Sequence, residues 1–476
     1  MDATDRRATE SLWQLVERMS TFLFAASLAF AIPAFPMYKG QWIGLAPVVG
    51  GGILFLISRK KSVAHTLLCR VADMNRRRLT TWLWFLAIGV RGIGIICFAD
   101  SPVSDHATYH ESAVRMLNGH AYPPSAYYPP GMAFWLLLVY TCFGESPAAA
   151  LIINAFIGGL MSWLTYITGR HIISESAARI AAFACALFPS LVIYSTTLGY
   201  DPILGCTILL AVWLIVRKPA EQHQFWYVGF IGVVLGVCSF IKPIGLLLPF
   251  VFAITYLRRR AGVVRSLRNG ILMMATMLMT LAPWSIRNAV MFGKYVPVTT
   301  SGGVGLWIAN HEGATGLTCP LPWFPPGTSE VERDRMLWRE AWSYMLTHPI
   351  ETIAMLPKKV AYLWGTSSTV MATVSADRWH PYLEAGAKAI INVAWVWVVL
   401  WFLVGAVGSR RIFIEKTYLW PAGMMLIYLF AVHQFYEAQS RYHLPFLPYL
   451  LMCAAAAFCT RHQNDIRPSK ANLTDE

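Results

Sequence analysis

Long apolar runs separated by short polar breaks fill this chain, at 20–36, 41–58, 81–98, 147–169, 177–197, 203–216, 225–241, 243–257, 270–290, 388–407, 418–434 and 443–459. A perpendicular membrane-spanning helix needs roughly 20 apolar residues, so several of these runs have soft boundaries. The pattern predicts an all-α polytopic membrane protein, a bundle of about 12 spans with juxtamembrane helices. The run 132–143 is too short to cross and is expected to be one of those juxtamembrane helices. The run 20–36 follows a mixed-charge segment and leads directly into a second apolar run, so it is expected to be a retained helix and not a signal peptide. Two stretches break the alternation, 99–146 and 291–387. Long loops are unusual in a bundle, and polar residues collected in them are candidates for function.

Composition agrees with this pattern. Hydrophobic residues make up 56% of the 476 and charged residues 13%, about half the charge of a typical soluble chain. The net charge of +14 would suit nucleic acid, but its distribution excludes that partner. The basic residues sit in short blocks between apolar runs: Arg59–Lys61, Arg76–Arg78, Arg258–Arg260 with Arg265 and Arg268, and Arg410–Arg411. That is the positive-inside signature of cytoplasmic loops. With 132–143 denied a crossing, every basic block falls in the cytoplasm, while Asp105, Tyr200–Pro202, the 291–387 loop and Gln434–Tyr442 fall outside. The expected division is 1–80 (cytoplasmic N-terminus, hairpin and basic loop), 81–290 (transmembrane core with outer loops 99–146 and 198–202), 291–387 (outer loop region), 388–460 (C-terminal spans) and 461–476 (cytoplasmic tail). Of the nine cysteines, only Cys142 and Cys319 fall outside, so at most one outer disulfide is expected.

Candidate chemistry concentrates in the outer loops. Asp105 and Tyr109 lie at helical spacing with Ala113, followed by Leu117, Gly119, Tyr122 and Tyr128-Pro129-Pro130-Gly131. Further along stand Tyr200-Asp201-Pro202, Lys242-Pro243, Pro283-Trp284-Ser285-Ile286-Arg287-Asn288 and Gln439-Ser440-Arg441-Tyr442-His443-Leu444-Pro445. Taken in this order, from about Trp82 to Phe458, the pieces resemble the GT-C glycosyltransferases, in particular bacterial relatives of protein O-mannosyltransferases and of the aminoarabinose transferase that acts on lipid A. The resemblance implies a GT-C-like bundle in the bacterial inner membrane. It would move a sugar from a polyprenyl-phosphate carrier to a glycan, lipid or protein acceptor on the periplasmic face. The first two spans lie outside the common pattern.

The same resemblance implies roles. Asp105, the first acid of the first outer loop, would take the acceptor's proton. The family often has Asp-Glu-x-x-Tyr where this chain has Asp105-His106-x-x-Tyr109, so His106 or Glu111 stands in for the missing acid. Asp201 would orient substrate. Arg441, Arg287 and Lys242 would offset the charge of the departing phosphate; arginine ranks first because it can make two parallel hydrogen bonds. Tyr109, Tyr128, Trp307, Asn310 and His311 would contact substrate. Each has a plainer reading as well: Asp105 and Asp201 as helix N-caps, the three cations as interfacial snorkellers, and the 296–320 loop as packing. No His, Asp or Glu grouping has the spacing of a known metal site, which leaves a divalent metal open. The competing functions are a transporter or flippase for a lipid-linked saccharide, in which buried charges line a pathway, and a polysaccharide polymerase or ligase.

Overall fold

The structure is a computed structural model. It describes residues 19, 21–35, 46–60, 71, 74–99, 101–217, 224–258, 262–368, 371, 381–408 and 420–466. Lys61, Arg259, Arg260, Arg410, Arg411 and the tail beyond Ile466 lie outside these residues. The described residues contain helices and no strand. Six helices are long and apolar enough to cross a membrane: Arg76–Phe98, Pro147–Ile172, Gln224–Ile241, Val263–Phe292, Glu384–Ala406 and Ser440–His462. Shorter apolar helices lie at Thr21–Phe35, Ala46–Ser58, Gly131–Phe143, Asp201–Val216, Pro243–Leu257 and Pro421–Phe435. Together they make a multi-pass membrane protein. The expected all-α bundle is what forms.

The Gly131–Phe143 helix has 13 residues, about 20 Å at 1.5 Å per residue, well short of a ~30 Å hydrocarbon core. It packs on the Asp105–Leu117 helix. Pro147–Ile172 follows, Glu175–Leu187 packs against it, and after Pro189–Tyr194 the chain brings Asp201 into the neighbourhood of Asp105 and Arg441.

That returning span was expected to run unbroken over 177–197, and it does not. Phe188 is extended (φ −65°, ψ 121°) and Pro189 opens a separate short helix. Proline has no N–H to offer the carbonyl four residues back, and it disfavours helical geometry in the residue before it. The carbonyls released are Cys185 O and Ala186 O. Arg91, fully buried, donates to both at 3.4 and 2.8 Å and from Nε to Ser195 Oγ at 3.1 Å. A break that would be costly in an apolar interior is thus satisfied by one guanidinium. The guanidinium lies where Gly158 leaves room, since a Cβ there would come within 1.9 Å of Arg91 Nε.

The 291–387 region is largely helical. Glu330–Thr347 begins at a capping box, in which Ser329 Oγ accepts from Glu332 N and the Glu332 carboxylate accepts from Ser329 N. The Pro349–Trp364 helix follows directly. Its end meets the 3-10 turn Ser440–Phe446: His443 donates from Nδ1 to Leu363 O, pairs through Nε2 with Ser367 Oγ, and stacks on Trp364 and Trp395. This packing sets the place of Arg441, two residues earlier. Cys142 and Cys319 are both free thiols.

Candidate active site

Three chain segments far apart in sequence meet at one end of the bundle: the start of Asp105–Leu117, the Ser195–Asp201 turn, and Ser440–Phe446. Ser104 precedes the first of them with φ 53°, a left-handed conformation uncommon outside glycine. It occupies the N-cap position without a side-chain cap bond, and its hydroxyl donates instead to Asp105 Oδ1 at 2.8 Å. The other oxygen, Oδ2, accepts from Arg441 Nη2 at 2.8 Å. Asp105 is therefore the first helical residue and not the cap. Burial would raise its carboxyl pKa, but the Arg441 guanidinium and Ser104 hydroxyl outweigh this and hold it well below the usual carboxylate range.

Tyr200 is the hub of the cluster. Lys242 Nζ donates to its hydroxyl at 2.8 Å, and both Lys242 and Arg441 lie against the rings of Tyr200 and Tyr442, at 4.7 to 5.8 Å from the centroids. Two cations share this aromatic surface, an arrangement that favours an anionic ligand between them. Asp201 is buried in the first turn of its helix, again without capping, because Tyr200 holds the cap position. His106 Nε2 and Asp201 Oδ2 come within 3.1 and 3.4 Å of where a Cβ on Gly199 would stand, so a side chain at Gly199 would crowd both. Burial, with Arg441 nearby, lowers the His106 pKa to about 4 against the pull of Asp105, which leaves a neutral imidazole at ordinary pH.

Tyr109 is buried beneath Asp105 and packs edge-on to Tyr128, with centroids 5.6 Å apart. Burial, reinforced by Asp105, raises the Tyr128 hydroxyl to about 12, so it stays a hydrogen-bond donor. Three buried polar atoms in the cluster have no protein partner: Arg441 Nε, Asp201 Oδ1 and Tyr194 Oη. Buried polar atoms are normally paired, and exceptions gathered in one place mark a site where a ligand completes the set.

Thus the structure brings together Asp105, His106, Tyr109, Tyr128, Asp201, Lys242 and Arg441. Glu111 lies on the same helix, exposed, along the wall of an adjoining cavity. Arg287 lies elsewhere. It donates to Pro123 O and Ser125 O at 2.5 and 3.1 Å, with its guanidinium against Trp284 and Tyr122. Glu330 grips the same loop from the other side, accepting from Ser125 Oγ, Ala126 N and Thr300 Oγ1.

Trp307, Asn310 and His311 also stand apart. Asn310 donates to Leu306 O and Phe435 O and accepts from Lys359 Nζ, while His311 stacks on Trp307 and bonds its carbonyl. They back the strap that leads through Glu437 into Arg441. Among the described residues, no three His, Cys, Asp or Glu side chains are grouped as a metal would require.

Sequence reasoning passed over Tyr200, Tyr194, Tyr442, Ser104, Glu330 and Lys359. Tyr200 and Tyr442 adjoin residues it singled out, and Ser329-x-x-Glu332 is a legible helix start. Nothing local marks Lys359, a fully buried lysine bonded to Asn310 Oδ1 and Gln434 O.

A membrane-embedded helical bundle with a paired carboxylate and two cations at one end defines the class to which this chain conforms. Residues 128–286, which run from Tyr128 to Ile286 and include Asp201 and Lys242, match the family described as dolichyl-phosphate-mannose-protein mannosyltransferase. The resemblance to the GT-C superfamily is thereby borne out. Among solved structures, the chain is similar to the oligosaccharyltransferase AglB of Archaeoglobus fulgidus, in complex with an inhibitory peptide and a dolichol-phosphate. Identity is 14% and the TM-score 0.49, over 80% of this chain and 49% of that one. It is also similar to ArnT of Cupriavidus metallidurans bound to undecaprenyl phosphate, at 15% identity and TM-score 0.41, over 80% of this chain and 78% of that one. The chain spans about half the length of the archaeal oligosaccharyltransferases it matches. No curated protein matches it.

Proposed function

We propose that this protein is a membrane glycosyltransferase that takes a sugar from a polyprenyl-phosphate carrier on the periplasmic face of a bacterial inner membrane. The observation that carries this reading is the Asp105–Arg441 pair, set beside Lys242 and Asp201 and completed by polar atoms without protein partners. The family match over 128–286 supports it.

In this reading the acceptor oxygen attacks the anomeric carbon from the face opposite the phosphate. A new glycosidic C–O bond forms, the bond to the phosphate oxygen breaks with inversion, and the acceptor's proton passes to the Asp105 carboxylate. The polyprenyl phosphate leaves with the electron pair of the broken bond, its charge met by Arg441 and Lys242. Asp201 orients the substrate, and Arg287 holds the loop over which it sits.

Pairing with Arg441 makes Asp105 a poor base in the free protein, since a carboxylate held ionised has little affinity for a proton. A donor phosphate competes for that guanidinium. Donor binding would then loosen the pair and restore the basicity of Asp105 at the moment it is needed, favouring an order in which donor precedes acceptor.

The test is made on purified protein in lipid nanodiscs with a panel of polyprenyl-phosphate sugars, following donor consumption and undecaprenyl phosphate binding. The reading expects both, with consumption lost in Asp105→Asn. Failure of every donor to bind or turn over, with vectorial movement of lipid-linked saccharide in vesicles, would establish the transporter in its place. Reporter fusions address the face: cytoplasmic after Pro219, Arg260 and Arg410, periplasmic after Thr318. A cytoplasmic result at Thr318 would refute the orientation.

A further inference from the structure

A cavity of about 410 Å³ opens beside the Asp105–Leu117 helix, lined by Thr108, Glu111, Ser112, Tyr122, Ser125 and Tyr128. Its size lies in the range of roughly 300–1,000 Å³ found for small-molecule sites. It adjoins the reaction site through two features. Thr108 stands three residues after Asp105, one turn along the same side of the helix. Tyr128 belongs to both places, since it lines the cavity and packs against Tyr109 beneath Asp105.

The lining specifies the chemistry. Polar groups stand beside tyrosine rings in it: Thr108 and Ser125 already donate to Ser104 O and Glu330, while Glu111 and the Tyr128 hydroxyl face an otherwise largely apolar wall, a mixed lining that suits an occupant with both polar and apolar faces. Glu111 disfavours an anion, while Arg115, which also lines the cavity and donates from Nε to Ala121 O, disfavours a cation. A neutral ligand that carries hydroxyls on one side and an apolar face on the other fits this lining, with its hydroxyls toward Glu111 and its apolar face against Tyr128. The floor is rigid where the ligand would rest. Ser125 donates to Glu330 and its carbonyl accepts from Arg287, so little ordering cost falls on binding.

We propose that this cavity is the acceptor subsite and that the acceptor group seated in it is a neutral saccharide, presented along the helix to Asp105. This rests on the glycosyltransferase reading above. Glu111 then acts as a specificity residue that accepts hydrogen bonds from saccharide hydroxyls.

The test uses the full chain in nanodiscs with three probes: methyl glucoside, its uronic acid counterpart and a serine-containing hexapeptide, each followed by saturation-transfer NMR. Undecaprenyl phosphate binding is measured in parallel. Methyl glucoside should bind the parent and be preferred over the uronate. Glu111→Gln should weaken it by about tenfold, the usual scale for losing a charged hydrogen bond, with undecaprenyl phosphate affinity unchanged. Thr108→Trp, which fills the cavity, should abolish it. Should Thr108→Trp fail to fold, Glu111→Gln and the probe ranking still decide. Glucoside binding unaffected by Glu111→Gln, or absent, or a hexapeptide bound more tightly and lost in the same variants, would overturn the assignment. A parent that binds glucoside as expected but no undecaprenyl phosphate would instead defeat the donor reading.

Discussion

Two arginines on this protein were expected to serve one purpose, and their surroundings separate them. Arg287 is engaged by Pro123 O, Ser125 O and Asn288 Oδ1, and it holds a loop that Glu330 holds from the other side. Arg441 makes one ion pair, lies against two aromatic rings, and keeps a buried Nε with no protein partner beside the equally unpartnered Asp201 Oδ1. Polar groups whose hydrogen bonds are spent on backbone rigidify structure. Polar groups left incomplete in a low-dielectric setting are costly and are retained where a ligand completes them. In this comparison Arg287 is spent on backbone carbonyls, whereas Arg441 keeps the unfilled donor that the proposed donor-binding role requires.

The sharpest way to break it begins with Asp105→Asn. Turnover of lipid-linked donor should fall by roughly 10²–10⁴-fold, the usual cost of removing a general base. The protein should remain folded and membrane-inserted, since the residue does not cap its helix. Near-parental turnover would remove Asp105 from the chemistry and turn attention to Glu111 or Asp201.

Arg441→Lys comes next. A lysine keeps the charge but not the planar fork, so donor affinity should fall by about tenfold and Arg441→Ala should do worse. Equal affinity in Arg441→Lys, measured by undecaprenyl phosphate titration, would reduce Arg441 to a point charge. Arg287→Gln should separate the two arginines. Stability should drop by about 1–3 kcal/mol as loop carbonyls lose their donor, while phosphate affinity in the folded fraction stays close to the parent. A specific loss of phosphate binding with unchanged melting would join the two regions again.

The smallest expected effect is the pH response through His106. Its folded pKa, near 4, lies below its unfolded value, so between about pH 6.5 and 4 the unfolded chain binds more protons than the folded one. Stability from this group is present above that window and is lost as pH falls through it. His106→Gln should flatten the corresponding part of a melting-versus-pH curve. The depressed Asp105 carboxyl acts in the same direction at lower pH: its contribution is present above the unfolded carboxylate value and disappears as pH falls towards the folded one.

How far the site could be read in advance differs from residue to residue. The order of Asp105, Tyr109, Tyr128, Asp201, Lys242 and Arg441 along the chain was enough to nominate them, because they fall in or beside the expected outer loops and follow the order of the family pattern. Their local geometry was not readable. Both aspartates looked like caps because Asp caps well, yet Ser104 and Tyr200 took those positions. The broken span at Pro189 could have been anticipated from proline alone, but the rescue of its carbonyls by Arg91, about a hundred residues earlier, could not.

The sequence by itself determined that this is a helical membrane protein, and it determined that the 132–143 run is too short to span and which residues could carry chemistry. Length and hydropathy against a fixed bilayer thickness are one-dimensional constraints, so a one-dimensional string suffices for them. Only the tertiary structure decided that Arg441 pairs with Asp105, 336 residues away, and that Arg287 serves a loop. It also decided that Asn310 bonds Leu306, Phe435 and Lys359 and that His311 stacks on Trp307. Those outcomes depend on which buried donors and acceptors find partners across helices, a property of packing that no local pattern encodes.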